Sequence, residues 1–115
     1  MKTGWSKHFQ SETEYTNKDD KGVMHFPGFS KELAEFLVKE RKIHGIGIDT
    51  LSLDTGSSTT YDTHVTMLKN NYYQIENMVL DNVPEHGGVV FALPLKITGG
   101  PEAQARIVVL VPKNL

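Results

Sequence analysis

The sequence predicts a single α+β domain, on three observations. A helical apolar pattern over about residues 31–42 leads directly into a short strand pattern at 45–49, the start of βα-type layering. Two β-rich apolar stretches, 89–97 and 105–111, are the strongest strands, joined by Thr98-Gly99-Gly100-Pro101-Glu102, long enough for a loose hairpin. The length of 115 residues, 38% of them apolar, suits one domain with a modest core.

Residues 6–28 are polar and mixed in charge, with Phe9, Tyr15 and Phe26 as aromatic punctuation. They read as a long surface excursion carrying one short helical turn, and the aromatics favour an ordered loop. Pro27-Gly28 makes a turn, after which Ser30 is a good N-cap for the first long helix. Glu32 lies in its first turn and Lys39, Arg41 and Lys42 near its end, so both ends match the helix dipole. Leu33, Phe36 and Leu37 form its apolar stripe, widened by Ala34 and Val38. The Ser-, Thr-, Asp- and Gly-rich stretch 51–60 is a loop. Asp62 is placed to cap a helix over 63–70 with Val65, Met67 and Leu68 as apolar contacts, and Asn70-Asn71 ends it because Asn tolerates the left-handed conformation. A strand at 72–76 and a short helical turn at 80–85 follow.

Composition narrows the function. A net charge of −2 offers no basic face for nucleic acid and no attraction to an anionic membrane. The longest apolar run, 89–95, is far short of the ~20 residues that span a bilayer. No apolar run follows Lys2, so no signal peptide is read there. The absence of cysteine removes disulfides, thiolate nucleophiles and Cys-based metal sites, and points to the cytoplasm. Gly45-Ile46-Gly47 lacks the third glycine of a dinucleotide fingerprint, and Ser57 and Ser58 lie in no nucleophile-elbow pattern.

Of the five histidines, His8 and His86 read as exposed loop residues, and His44 as a partner for the preceding helix end. His25 reads as structural, with pocket lining as the alternative. His64, near the start of a helix, precedes Glu76 on the following strand by twelve residues. A helix and the next strand can bring two such side chains together, and imidazole nitrogen with carboxylate oxygen suits Zn²⁺ or Mn²⁺, although that spacing alone is a weak signal. Asp49 and Asp54 are candidates for a carboxylate pair, with loop solvation and capping as equal alternatives.

Read in order, Thr3-Gly4-Trp5-Ser6, His25-Phe26-Pro27-Gly28-Phe29-Ser30, the run from Gly45 through Asp54, Ile75-Glu76-Asn77-Met78, and the run from Ala92 through Gly100 together resemble one family. It is the cyclase family of metal-dependent hydrolases, which includes kynurenine formamidase and isatin hydrolase. The resemblance implies a swivelling β/β/α fold, amide or cyclic-amide hydrolysis by metal-activated water, and metal ligation at His64 and Glu76. The family's main metal motif, His-x-Gly-Thr-His-x-Asp-x-Pro-x-His, lies upstream of the Thr-Gly-Trp segment and is absent here, so the chain resembles the carboxyl-terminal half, a truncated fold lacking the amino-terminal half. A catalytic zinc site normally holds three protein ligands and water. The expectation is therefore a cyclase-like chain that is inactive alone and holds no tightly bound metal, with zinc or manganese entering only if the site is completed. One alternative is a half-enzyme completed by a separate amino-terminal chain or across a homo-oligomer. Another is a non-catalytic module binding a small molecule or protein. Uncovered apolar surface predicts a homo-oligomer.

Overall fold

The structure, a computed structural model, describes residues 1–113 and divides the chain into two compact units, Met1–Asp81 and the segment from Asn82 onward. The architecture is α+β, as the sequence predicts.

In the first unit a 3₁₀ turn at Trp5–His8 precedes α1 (Glu12–Thr16), so the polar excursion holds two helical turns rather than one. Ser11 caps α1 by accepting the Glu14 amide, and Asn17 ends it in the left-handed conformation. α2 spans Lys31–Glu40, with the Ser30 hydroxyl accepting the Leu33 amide as its N-cap. It stops two residues short of the predicted end because Arg41 is extended, its guanidinium stacked 4.5 Å from the Phe36 ring centre. Strand β1 (Gly45–Gly47), helix α3 (Asp62–Lys69) and strand β2 (Tyr73–Ile75) form a βαβ arrangement in which the strands pair in parallel, Ile46 opposite Gln74. Both strands are shorter than predicted, but Ile48 donates to the Ile75 carbonyl and Met78 to the Ile48 carbonyl, so the chains stay zipped beyond the ladder. Gly45 and Gly47 make this close approach feasible: a Cβ at Gly45 would lie 2.4 Å from the Tyr73 ring, and one at Gly47 2.5 Å from Met78 Sδ.

The core is Phe29, Ala34, Ile46, Ile48, Leu53 and Met67, with Leu37, Val38, Ile43 and Tyr72 packed against it. This corrects two expectations. In α2 the docked stripe is Ala34, Leu37 and Val38, whereas Leu33 and Phe36 are 36% and 42% exposed. Both triplets fit helical spacing, and the methyl side chain of Ala34 lets the helix backbone come closest to the core. In α3 only Met67 of the three predicted contacts is buried; Val65 and Leu68 face outward.

No helix forms at 80–85, where the chain makes a turn followed by bends; Pro84 supplies no amide there to continue a helical ladder. The second unit is an antiparallel hairpin of β3 (Val89–Pro94) and β4 (Ala105–Leu110), in register from Val89 opposite Leu110 to Pro94 opposite Ala105. The pairing is as predicted, but these strands form no part of the buried core: Val89, Phe91, Leu93, Val108 and Leu110 are all exposed. Their apolar runs carry no information about what covers them. No helix among the described residues is long and apolar enough to cross a membrane.

Adjacent residues of α3 test the packing. Met67→Ala should lower stability by about 2–5 kcal/mol, and Leu68→Ala by no more than about 0.5 kcal/mol, in urea denaturation. Equal costs would contradict the docking of α3 through Met67.

Candidate metal-binding site

The site is built where the loop after β1 meets the first turn of α3. Asp62 does not cap that helix: it is the first helical residue, and the N-cap position is Tyr61, held left-handed at φ 51° with no side-chain cap of its own. The cap comes from Asp54 instead. Its Oδ1 accepts the Thr63 amide at 2.8 Å and its Oδ2 the His64 amide at 3.1 Å, satisfying two of the orphan donors that open a helix. Thr63, fully buried, donates its hydroxyl to the Phe29 carbonyl at 3.1 Å and ties the same turn to the core.

His64 thereby stands over Asp54, with Nδ1 2.6 Å from Asp54 Oδ2. Its other ring nitrogen, Nε2, is 3.2 Å from Glu76 Oε1. Glu76 follows β2, and Oε1 also accepts the Leu53 amide at 3.2 Å. The structure therefore brings the two sequence-identified residues together, and adds Asp54 behind the imidazole. Asp54 is 3% exposed, whereas His64 and Glu76 are each about a quarter open to solvent at the side chain.

Asp49 and Asp54 do not act as a carboxylate pair, nor are they solvated; each is buried and saturated by its own donors. Asp49, 1% exposed, accepts the amides of Thr3, Gly4 and Trp5 and the Thr3 hydroxyl. Burial pushes both carboxyls up, but the hydrogen bonds outweigh it. The Thr3 hydroxyl and the Thr3 and Gly4 amides hold Asp49 below the usual carboxylate range, and the His64 ring with the Thr63 and His64 amides does so for Asp54. Tyr15 joins this region: its hydroxyl donates to Asn77 Oδ1 at 2.9 Å, and its carbonyl accepts Trp5 Nε1 at 2.8 Å.

The remaining histidines have other surroundings. His8 is half-buried rather than exposed, its ring 4.9 Å from that of Trp5 and its Nδ1 3.1 Å from Glu14. His25 pairs with Asp19 at the surface, and His44 and His86 are exposed.

Chemically, His64 Nε2 and Glu76 Oε1 are two unlike donors converging at 3.2 Å. Two donors of a tetrahedral zinc, at bond lengths near 2.0–2.1 Å, are about 3.3 Å apart, so the pair fits two positions of such an ion. Among the described residues no group of three or more His, Asp or Glu side chains is arranged to hold a metal. The pair would supply two of the three protein ligands that a catalytic zinc normally holds.

Fold and site together define an α+β chain of the kind seen in metal-dependent hydrolases. Isatin hydrolase A from Ralstonia solanacearum superimposes with a TM-score of 0.86 at 33% identity, covering 94% of this chain and 43% of that one. A structure described as a predicted metal-dependent hydrolase from Bacillus stearothermophilus matches at TM-score 0.66 and 31% identity, covering 73% of this chain and 40% of that one. By sequence, the isatin hydrolase of Roseibium aggregatum is 30% identical over 98% of this chain and 44% of its own length. The kynurenine formamidase of Paracidovorax citrulli is 39% identical over 58% of this chain and 31% of its own. Residues 1–55 match the family model described as "Putative cyclase". The chain is similar to this cyclase family, and it spans less than half the length of these relatives.

Because Asp49 and Asp54 titrate lower in the folded chain than in the unfolded one, the unfolded chain binds more protons near pH 4. Their contribution is complete above about pH 5 and is lost as pH falls through about 4 and below. Asp49→Asn should cost about 1–3 kcal/mol at pH 7, by leaving buried donors poorly matched, and should flatten this acid decline in denaturation midpoints. Equal slopes in the two proteins would remove Asp49 from the acid response.

Proposed function

We propose that this chain is a cyclase-family hydrolase-type protein in which His64 and Glu76 are two ligands of a divalent metal, zinc or manganese, and that the isolated chain hydrolyses no amide. One observation carries the reading: an imidazole nitrogen and a carboxylate oxygen converge at 3.2 Å in a half-open site, the imidazole backed by a buried carboxylate. Carboxylate–histidine–metal arrangements of this type orient a ligand and raise its basicity. The names of the relatives, isatin hydrolase and kynurenine formamidase, support amide and cyclic-amide hydrolysis as the chemistry of a completed site. There the metal would supply an activated water. Two donors leave several coordination positions to solvent, which is why the reading is of an incomplete site.

A second copy of the chain is the partner we propose. The hairpin exposes Val89, Val90, Phe91, Leu93, Val108 and Leu110, and isolated two-stranded hairpins are marginal in water. Monomers rarely leave contiguous apolar surface of this kind uncovered. A cysteine-free sequence suits a reducing compartment, so the setting we propose is cytoplasmic.

Metal analysis of purified protein beside a hydrolysis assay on N-formyl and cyclic amides tests the reading. Expected are no retained metal, no turnover, and weak zinc binding that disappears in His64→Ala. Glu76→Gln should leave folding nearly unchanged, since the amide oxygen can still accept from Leu53. About one zinc or manganese retained per chain, with amidase turnover lost in His64→Ala, would overturn the inactive reading in favour of an enzyme completed by assembly. Light scattering should give a mass above 12.9 kDa at micromolar concentration; a monomer throughout would sink the self-association.

A further inference from the structure

The His64 ring stands between two carboxylates that compete for the same proton. If the neutral ring carries it on Nδ1, the proton is donated to Asp54 and Nε2 presents a lone pair. If it carries it on Nε2, the proton is donated to Glu76 and the nitrogen facing the half-open side is blocked. The geometry is unequal. The Asp54 contact is 2.6 Å and the Glu76 contact 3.2 Å. The Asp54 side chain is 5% exposed and that of Glu76 25%. Asp54 is also the better anchored, because the Thr63 and His64 amides hold both of its oxygens before the ring is considered. An ionised carboxylate only accepts, so a hydrogen between Asp54 and Nδ1 belongs to the imidazole.

We propose that Asp54 is a positioning residue that fixes His64 in the Nδ1–H tautomer, leaving Nε2 as a bare donor directed beside Glu76 Oε1. The proposal rests on the metal reading above for its functional meaning, but not for its geometry. One carboxylate performs two tasks: it caps α3, which sets the backbone of His64, and it holds the ring proton, which sets the ligand atom. The helix register makes this compact, since Nδ1 and the amide of the same residue reach the same oxygen. With Nδ1 protonated, the lone pairs of Nε2 and Glu76 face each other across 3.2 Å, an arrangement that a cation between them relieves.

The test is the ring ¹⁵N spectrum of His64 in the metal-free, full-length chain, recorded at a pH where titration shows the imidazole to be neutral. The expected result is a protonated Nδ1 and a bare Nε2. In Asp54→Ser, which keeps a hydroxyl for a helix amide but loses the acceptor opposite Nδ1, the proton should move towards Nε2. Zn²⁺ alone, titrated against the His64 ring signals, should bind the unsubstituted chain at least tenfold more tightly than Asp54→Ser. A purely structural cap would leave the tautomer unmoved. A neutral His64 with its proton on Nε2 in the unsubstituted chain overturns the proposal by itself, even if Asp54→Ser fails to fold. An unchanged tautomer in a folded Asp54→Ser also overturns it, whatever zinc does. The tautomer switch without any zinc response at His64 would support the positioning and overturn the metal reading alone.

Discussion

A buried carboxylate has to find donors or remain unionised, and Asp54 finds them nine and ten residues ahead in the chain. That single requirement folds the 55–61 loop back on itself and fixes where α3 begins. It explains the left-handed Tyr61, whose own side chain caps nothing, because the helix start is dictated from Asp54 rather than locally. On the other side, Asp54 bridges to Phe29, and a Cβ at Gly28 would lie 2.3 Å from the Asp54 carbonyl carbon, so this part of the loop is clamped against the entry to α2. The position of His64 follows from these constraints together.

Asp49 performs a parallel task at the start of the same loop. Its carboxylate gathers the amides of Thr3, Gly4 and Trp5, while its carbonyl receives the Tyr15 hydroxyl at 3.3 Å. Between the two aspartates, Thr50 and Leu53 are fully buried. The opposite wall is the chain leaving β2, where Asn77 donates to the Thr50 carbonyl and Glu76 accepts from Leu53. Glu76 is thus held in place by backbone pairing on either side of it. The site is assembled from the first turn of α3 and two loops whose polar groups are matched to one another.

The hairpin obeys a different logic. Its two strands satisfy each other's backbone groups and leave their apolar side chains exposed, whereas the first unit closes a core of its own around Ile48, Leu53 and Met67. These exposed apolar side chains are the physical basis for proposing self-association.

Much of this was legible in the residues because the determinants are local. Ser30 caps α2, Asn71 ends α3 in the left-handed conformation, and the β-branched runs pair as a hairpin, each decided by a few neighbouring groups. His64 and Glu76 were likewise identifiable, the helix and strand that carry them being readable and the family motifs marking the positions. The choice between two equally periodic stripes on α2 was not, because periodicity names a face only to within a residue and the depth of packing selects Ala34 over Leu33. Nor was the partnership of Asp54 with His64 legible: a spacing of ten residues has no meaning until the intervening loop folds back. The sequence by itself determined most of the elements, the family resemblance and the two converging residues. Only the tertiary structure decided which carboxylate holds the imidazole, since a buried hydrogen bond between distant residues is set by the desolvation that surrounds it, and desolvation is a property of the folded chain.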